Sequence, residues 1–244
     1  MAGVKPLPIL FEDERLVVVA KPVGILSVPD ARAGVKSVPE LLASQGISAL
    51  AAHRLDRDVS GALVLARDEE TRAELEQAFR EQRVTKTYWA LVVGAPRKEA
   101  GTWSMPILKE GSHARVSSSG ESARTDYRLL RRVGPVSELE LALFTGRYNQ
   151  IRVHAAHSGT PLVGERKYAK GSDDPLRANR LALHAWKLAF EHPWTLARVE
   201  VEAPIPGELG KLVLKAKGWE TRSRSKTRPG VRGRSRSSRD RRPS

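Results

Sequence analysis

Short apolar segments, separated by polar turns that contain glycine or proline, run along most of the chain. Runs or alternations of β-branched and aliphatic side chains predict strands. The predicted strands cover residues 16–20, 62–66, 87–93, 124–130, 138–144, 181–190 and 199–201. Segments 124–130 and 138–144 are expected to be antiparallel neighbours.

Helical segments interleave with these strands. The predicted helices cover residues 37–45, 68–82, 150–157 and 208–217. The first begins with a capping box formed by Ser37 and Glu40, and the second begins at the capping residue Asp68. Because strands and helices do not alternate strictly, the pattern predicts an α+β fold of mixed α/β type rather than a doubly wound sheet.

Composition narrows the class of protein. The chain has 244 residues, of which 40% are hydrophobic, enough for one large or two small folded domains. Cysteine is absent, which excludes disulfides, thiolate zinc sites and thiol nucleophiles. No apolar stretch is long enough for a signal peptide or a membrane span, so we expect a soluble, cytoplasmic protein.

Positive charge is concentrated at the C-terminal end. The net charge is +14, and residues 221–244 contribute nine Arg, one Lys and one Asp, a local balance of +9. This segment has one aliphatic residue, Val231, and no aromatic residue, so we expect a disordered tail after a folded domain at 1–220. Such a tail attracts polyphosphates without reading their sequence.

Two polar segments stand out beside predicted strands. Residues 53–61 combine two acids, two arginines, a His, a Ser and a Gly, which is typical either of a rigid site or of a solvated turn held by Arg–Asp pairs. Residues 145–154 include Arg152 between two apolar residues. If its side chain turns inward, it needs a carboxylate partner.

A family resemblance rests on five blocks of sequence. Residues 53–66, HRLDRDVSGALVLA, resemble the catalytic motif of the RluA family of pseudouridine synthases, which usually reads HRLD, two residues and TSG. The family's other motifs are matched, in the family's order, at residues 10–24, 86–92, 146–168 and 183–193. The resemblance implies a central, mostly antiparallel sheet flanked by helices, with a catalytic cleft across it.

The resemblance also implies roles for individual residues. Asp56 matches the catalytic aspartate, and Tyr88 matches the tyrosine that packs on the target base and is proposed to take part in proton transfer. Arg152 matches the basic residue that pairs with the catalytic aspartate. Arg54 matches an arginine that fills the gap left by an everted base, and Leu183 matches an apolar residue of the base pocket.

Three more residues of these motifs, His53, Arg147 and Gln150, are assigned to substrate binding. The chain departs from the family pattern at three positions. They are Val59, where Thr is usual, Asn149, where His is usual, and Glu165, where Asp is usual. None of them matches a catalytic position, so they affect substrate choice and local geometry more than activity.

The implied reaction is the isomerisation of particular uridines in ribosomal or transfer RNA, without cofactor or metal. An ionised carboxylate suits the breaking of the glycosidic bond, and burial raises a carboxyl pKa whereas a guanidinium lowers it. We therefore predict an Asp56–Arg152 ion pair in a partly closed pocket. A base stacked in a helix is out of reach, so the nucleotide has to be everted.

Two other functions fit the same residues. One is a non-catalytic RNA-binding or ribosome-assembly protein, and the other, weaker, is a hydrolase that uses Asp56 with water. For the partner we expect a structured RNA stem-loop, no membrane, no second protein, and a monomer. Because the opening strand begins near residue 8, we expect a compact form without an S4-type RNA-binding module before it.

Overall fold

The computed structural model describes the backbone of residues 6–169 and 174–226. Its strands are β1 (Ile9–Glu12), β2 (Leu16–Lys21), β3 (Leu50–Ala51), β4 (Ser60–Ala66), β5 (Thr85–Val93), β6 (Ala100–Trp103), β7 (Ile107–Glu110), β8 (His113–Val116), β9 (Thr125–Val133), β10 (Val136–Leu143), β11 (Leu183–Glu191) and β12 (Arg198–Glu202). Its helices are α1 (Val38–Ala43), α2 (Glu69–Arg80), α3 (Gln150–His157) and α4 (Gly207–Lys226).

Ten of these strands form one sheet. Eight of them follow the order β1-β2-β4-β11-β5-β10-β9-β6, while β12 pairs with β11 and β3 pairs with β4. Within the described residues every strand pairing is antiparallel except that of β4 with β11. The predicted α+β class with a mostly antiparallel sheet is confirmed, and so is the pairing of segments 124–130 and 138–144.

Helices cover both faces of the sheet. In β4, Leu63 and Leu65 point to the face covered by α1 and α3, whereas Ala62 and Val64 point to the face covered by α2. Helix α4 packs on that second face against the β5 residue Trp89 and its neighbours. Alternate side chains of a strand thus enter two separate apolar cores.

The predicted helices are found, with one correction at the C-terminal end. The capping box at the start of α1 is present, and α3 spans the predicted residues. Helix α4 continues to Lys226 instead of ending at residue 217, so residues 221–226 of the predicted tail are helical. Once a helix has started, each added residue gains a hydrogen bond without burying its side chain. Residues 227–244 of the predicted tail lie outside the described residues.

No described helix combines the length and apolarity needed to cross a membrane. Strands β3, β6, β7 and β8 were not predicted. Strands β7 and β8 form a separate two-stranded hairpin that packs on α3 through Ile107, Ala114 and Val153. The hairpin carries four charged or histidine side chains among its eight strand residues, so its apolar alternation is too weak to recognise in the sequence.

Gly61 permits the single parallel contact in the described sheet. Its φ is +130°, and a Cβ atom there would lie 2.2 Å from the carbonyl oxygen of Ala185 in β11. Only glycine can occupy this position without moving one of the two strands. The loop that precedes β4 is therefore held close to β11, which brings together two of the segments singled out in the sequence.

Candidate active site

The loop that carries Asp56 is fixed to the segment after β2. The hydroxyl of Ser27 donates to the carbonyl oxygen of Leu55 (2.8 Å) and accepts from the Leu55 amide (2.9 Å). The Gly24 amide donates to the carbonyl oxygen of Arg57 (2.8 Å). These bonds bracket Asp56 on both sides, so the backbone on which it stands is rigid before any substrate arrives.

Lys21 also stabilises the segment after β2 to which the Asp56 loop is attached. Its side chain is 1% exposed, and its ammonium donates to the carbonyl oxygens of Ile25 (2.8 Å) and Pro22 (3.1 Å). Burial lowers the pKa of Lys21 to about 8, although the charges of Asp56 and Asp58 oppose the shift. The sequence identified Lys21 only as a part of the motif at residues 10–24, because nothing in the sequence shows that its side chain points toward the Asp56 loop.

A cavity of about 290 Å³ opens beside this loop. Its size is close to the lower limit of roughly 300–1,000 Å³ for small-molecule sites. Seven of the eight predicted site residues line it, namely Arg54, Asp56, Tyr88, Arg147, Gln150, Arg152 and Leu183. A wider cleft of about 990 Å³ shares the walls formed by Arg54, Asp56 and Arg152. The structure therefore joins a small inner cavity to a large outer cleft.

Tyr88 and Leu183 come from adjacent strands. Tyr88 on β5 lies opposite Ala185 on β11, and Leu183 is two residues from Ala185, so both side chains point to the same face of the sheet. The hydroxyl of Tyr88 has no hydrogen-bond partner among the described residues, and burial together with the nearby charge of Asp56 raises its pKa. Tyr88 is therefore a neutral phenol, able to donate a proton or a hydrogen bond inside the cavity.

Asp56 is partly buried at the cavity wall. Burial raises its pKa above the ordinary value, while the positive charges of Arg152 and Arg54 act in the opposite direction. The two arginines are therefore within electrostatic reach of the carboxylate. A partly buried carboxylate beside cations is typical of functional sites, where the charge takes part in binding or in chemistry.

The predicted Asp56–Arg152 ion pair is not formed in this structure. Arg152 instead makes a two-pronged pair with Glu165, with Nε and one terminal nitrogen each 2.8 Å from a carboxylate oxygen. The side chains of Arg152 and Glu165 are 10% and 0% exposed. Both oxygens of Glu165 accept hydrogen bonds from the guanidinium edge. This two-bond geometry is stronger than a single charge interaction, and it explains why Arg152 pairs with Glu165 and not with Asp56.

The unusual residues Glu165 and Asn149 act together around Arg152. Asn149 takes the left-handed conformation (φ 53°) just before α3, which asparagine adopts more readily than most residues. Its side-chain amide donates to the Tyr168 hydroxyl (2.6 Å), and the Tyr168 ring lies 5.4 Å from the Arg152 guanidinium carbon. Glu165 uses two of the five guanidinium N–H groups, and the other three have no hydrogen-bond partner among the described residues.

Gln150 lines the cavity but does not have the predicted role. Its amide oxygen accepts from the Thr145 hydroxyl (2.7 Å) and the Arg147 amide (3.0 Å). Its amide nitrogen donates to the Arg124 carbonyl (3.0 Å) and the Thr125 hydroxyl (2.9 Å). All four hydrogen-bonding positions of the side chain are thus occupied by protein. Gln150 shapes the turn before α3 instead of presenting polar atoms to a substrate.

Arg54 and Arg147 differ in how much of their charge is available. Arg54 is exposed and has no hydrogen-bond or ion-pair partner within residues 6–169 and 174–226. Arg147 is tied down, because its guanidinium donates to the Ser122 carbonyl (3.0 Å) and pairs with Glu121. Arg54 is therefore the better placed of the two to contact a bound molecule.

His53 is the one predicted site residue that does not line the cavity. Its ring stacks on Phe79 of α2 (4.2 Å between centroids), and its Nε2 accepts from the Val64 amide (3.1 Å). Phe79 packs on the opposite face of the sheet from Tyr88. The structure therefore places His53 apart from the other seven predicted site residues, and its geometry does not support a role in substrate binding. Burial lowers its pKa to about 3, so it is neutral at physiological pH.

Replacing His53 with alanine is expected to destabilise the fold by about 1–3 kcal/mol, the cost of leaving the Val64 amide without its acceptor. The difference in unfolding free energy between the variant and the wild type should become smaller as the pH falls below 6.5. In that range the unfolded wild type binds a proton at His53 that the folded wild type does not bind, so the wild type loses a part of its stability that the variant never had. Urea unfolding at pH 7 and pH 5 measures the gap.

The exposed His157 provides the matched control. His157→Ala should show no comparable narrowing. A gap that widens on acidification would contradict this account of His53.

Comparison with known proteins agrees with the geometry. Residues 15–157 match the family described as RNA pseudouridylate synthase. A protein of Synechocystis called an uncharacterised RNA pseudouridine synthase is 34% identical over 86% of this chain and 68% of its own length. The ribosomal large subunit pseudouridine synthase D of Nitrosomonas europaea is 36% identical over 85% of this chain and 64% of its own length. The chain thus spans about two thirds of the length of these relatives.

A solved structure shows the same fold. Human RNA pseudouridylate synthase domain containing 1 superposes with a TM-score of 0.73 and 29% identity, over 84% of this chain and 86% of that one. The matched family segment contains the Asp56 loop, Tyr88 and Arg152. The resemblance seen in the sequence is confirmed, and the chain belongs to the RNA pseudouridylate synthase family.

Proposed function

We propose that this protein isomerises particular uridines of ribosomal RNA to pseudouridine, with Asp56 as the essential catalytic residue. The observation that carries the proposal is the convergence of Asp56, Tyr88, Arg152 and Leu183 on one small cavity that opens into a wide cleft. A protein that only bound RNA would have no use for a buried carboxylate facing cations in such a cavity.

The outer cleft fits an RNA backbone. Its walls include the basic residues Arg54, Arg57, Arg166 and Lys167, and Arg54 forms no close ion pair among the described residues. The target uridine enters the inner cavity by leaving its helix, which costs a few kcal/mol and least in a loop or bulge. Stacking on Tyr88 returns about 1–3 kcal/mol. A stem-loop is therefore the preferred substrate.

The reaction is a rearrangement within one nucleotide. The bond between C1′ of the ribose and N1 of uracil breaks, the base turns, and C1′ bonds to C5, whose proton is lost while N1 gains one. The carboxylate of Asp56 stabilises the electron-poor ribose, attacks it, or removes a proton from the sugar, and each of these roles requires the ionised form. No oxidant, reductant or external group is consumed, so the residues lining the cavity suffice.

The choice of ribosomal RNA rests on relatives. Proteins of Nitrosomonas europaea and Xylella fastidiosa that are 36% and 37% identical to this chain are called ribosomal large subunit pseudouridine synthase D. The seven Arg and one Asp of residues 227–244 give that segment a charge of +6, which favours attraction to RNA of any sequence. The cytoplasm, where ribosomal RNA is processed in bacteria, is the compartment we propose.

Mapping pseudouridine in large-subunit RNA tests the proposal. RNA is purified from cells that lack the protein and incubated with the purified chain, and new sites are located by carbodiimide labelling and primer extension. At least one new pseudouridine in a loop or bulge is expected. Transfer RNA from the same cells is treated in parallel. New pseudouridine in transfer RNA alone would replace the proposed substrate, and the absence of new pseudouridine from both RNAs would overturn the proposed activity.

A further inference from the structure

One tyrosine is shared by the inner cavity and the outer cleft. Tyr148 lines both of them, and its ring is half-buried. Its hydroxyl donates to the carbonyl oxygen of Ser112 (3.2 Å), in the turn between β7 and β8. Tyr148 is thereby fixed at the boundary between the pocket for one base and the surface that faces the rest of the RNA.

Two ammonium groups surround the Tyr148 ring. Lys109 on β7 places its Nζ 5.1 Å from the ring centroid, and Lys167, in the loop after Glu165, places its Nζ 5.3 Å away. The Lys167 ammonium also donates to the Ser112 carbonyl oxygen that Tyr148 contacts. We call Lys109, Tyr148 and Lys167 the lysine–tyrosine cluster. Lys109 lines the inner cavity and Lys167 lines the outer cleft, so the two cations come from different parts of the fold and meet at Tyr148.

The positive charge of the cluster is not cancelled by its neighbours. The acidic residue nearest in sequence to Lys109 is Glu110, and the one nearest to Lys167 is Glu165. Glu110 pairs with Arg115 (2.8 Å), and Glu165 pairs with Arg152 (2.8 Å). Within residues 6–169 and 174–226 neither lysine forms an ion pair. Both ammoniums therefore remain available for an anion.

The surrounding structure holds the cluster in place. The β7–β8 hairpin packs on α3 through Ile107, Ala114 and Val153, which fixes the strand that carries Lys109. The backbone amide of Lys167 donates to the fully buried carboxylate of Glu165 (2.7 Å). Each lysine thus extends from a fixed backbone position, and the ring between them restricts the ammoniums further.

We propose that the lysine–tyrosine cluster is a phosphate-binding subsite, which holds the RNA backbone next to the everted nucleotide. This inference rests on the proposed function, because it places the everted base in the cavity that Tyr148 borders. Lysine binds phosphate as a point charge and does not distinguish one base from another. The subsite therefore contributes affinity and register on the RNA, while Asp56 and Tyr88 act on the base.

Removing one cation that contacts a phosphate reduces the slope of log affinity against log salt concentration by about 0.7–0.9. Lys109→Gln and Lys167→Gln are each expected to show this reduction, and the double variant about twice as much. The corresponding arginine variants should keep the wild-type slope. Because the lysines contact the backbone and not the reacting atoms, the RNA concentration that gives half the maximal single-turnover rate should rise more than the maximal rate falls.

Fluorescence anisotropy with a fluorescein-labelled RNA hairpin that has uridines in its loop measures the slope, and pseudouridine formed in the same hairpin measures the rate. The control is Lys211→Gln, an exposed residue of α4 outside both the cavity and the cleft. An unchanged slope in the double variant, or an equal reduction in the control, would overturn the subsite. Since binding is measured without turnover, a wild type that binds the hairpin but forms no product in any RNA would count against the proposed function instead.

Discussion

Asp56→Asn is expected to lower the rate of pseudouridine formation by about 10⁴-fold or more, as is typical when a group essential to the chemistry is lost. Asparagine has nearly the same shape and size, so the cavity and the hydrogen bonds of Ser27 and Gly24 to its loop should persist. The neutral amide can neither stabilise the electron-poor ribose nor attack it. RNA affinity should stay near the wild-type value, because the basic cleft is unchanged.

Pseudouridine released by nuclease digestion and quantified by mass spectrometry measures this loss, and anisotropy measures binding. Glu74→Gln, which removes a carboxylate from the exposed face of α2, provides the matched control and should be fully active. Equal product from the Asp56 variant and the wild type would refute the proposed role of Asp56. Loss of RNA binding together with activity would show instead that Asp56 supports the structure of the cleft.

The second large effect is expected at Glu165, whose carboxylate holds Arg152. Removing one partner of a buried ion pair typically costs about 3–5 kcal/mol, because the other charge is left buried and unpaired. Glu165→Gln should therefore lower the free energy of unfolding by about that amount at pH 7. Burial is the largest single effect and would raise the pKa of Glu165. The hydrogen bonds and charge of Arg152, together with the backbone amides of Lys167 and Tyr168, outweigh it and hold the pKa below its ordinary value.

The sign of the pH dependence follows from that lowered pKa. The pair contributes its full stability above the pKa of a glutamate in the unfolded chain and loses it as the pH falls through the lower folded-state value. The difference between Glu165→Gln and the wild type should thus be largest near neutral pH and shrink in acid. Urea unfolding over a pH series tests this, and a constant difference would contradict the ion-pair account.

Glu165 is a positioning residue, and its effect on the reaction can be separated from its effect on stability. Without the glutamate charge the positive field of Arg152 on Asp56 is stronger, so the pKa of Asp56 should fall. The acid limb of the pH–rate profile should then move to lower pH in Glu165→Gln, measured at a temperature where the variant is folded. Glu165→Asp keeps the charge and should restore most of the wild-type profile. A merely structural role would lower the amount of active enzyme without moving the limb.

Much of the fold could be predicted from local sequence. The capping box of α1, the extent of α3 and the pairing of β9 with β10 follow from caps and apolar periodicity, which act over a few residues. The β7–β8 hairpin was missed because its polar strands are stabilised by packing on α3, a contact between distant segments. The end of α4 was missed because composition indicates whether a segment buries surface, and a helix can continue without doing so.

The candidate site shows the same limit more sharply. Its membership could largely be predicted, since seven of eight residues line one cavity, but their partners could not. Arg152 needed a carboxylate, and the sequence predicted Asp56. The choice of Glu165 over Asp56 depends on distances between loops that only the folded chain sets. His53 faces away although it adjoins Arg54, because the direction of a side chain in an irregular loop is not encoded by its neighbours.

The parallel contact of β4 with β11 has a consequence for how the chain folds during its synthesis. His184 pairs with Ser60 across more than a hundred residues, so the strand after the catalytic loop is not enclosed until β11 has been synthesised. Contacts of such long sequence separation form slowly, because the intervening chain must first be confined. A nascent chain that stops before β11 already contains Asp56, Tyr88 and Arg152, but it lacks Leu183 and the strand that pairs with β5, so the cavity is not complete before β11 has been synthesised.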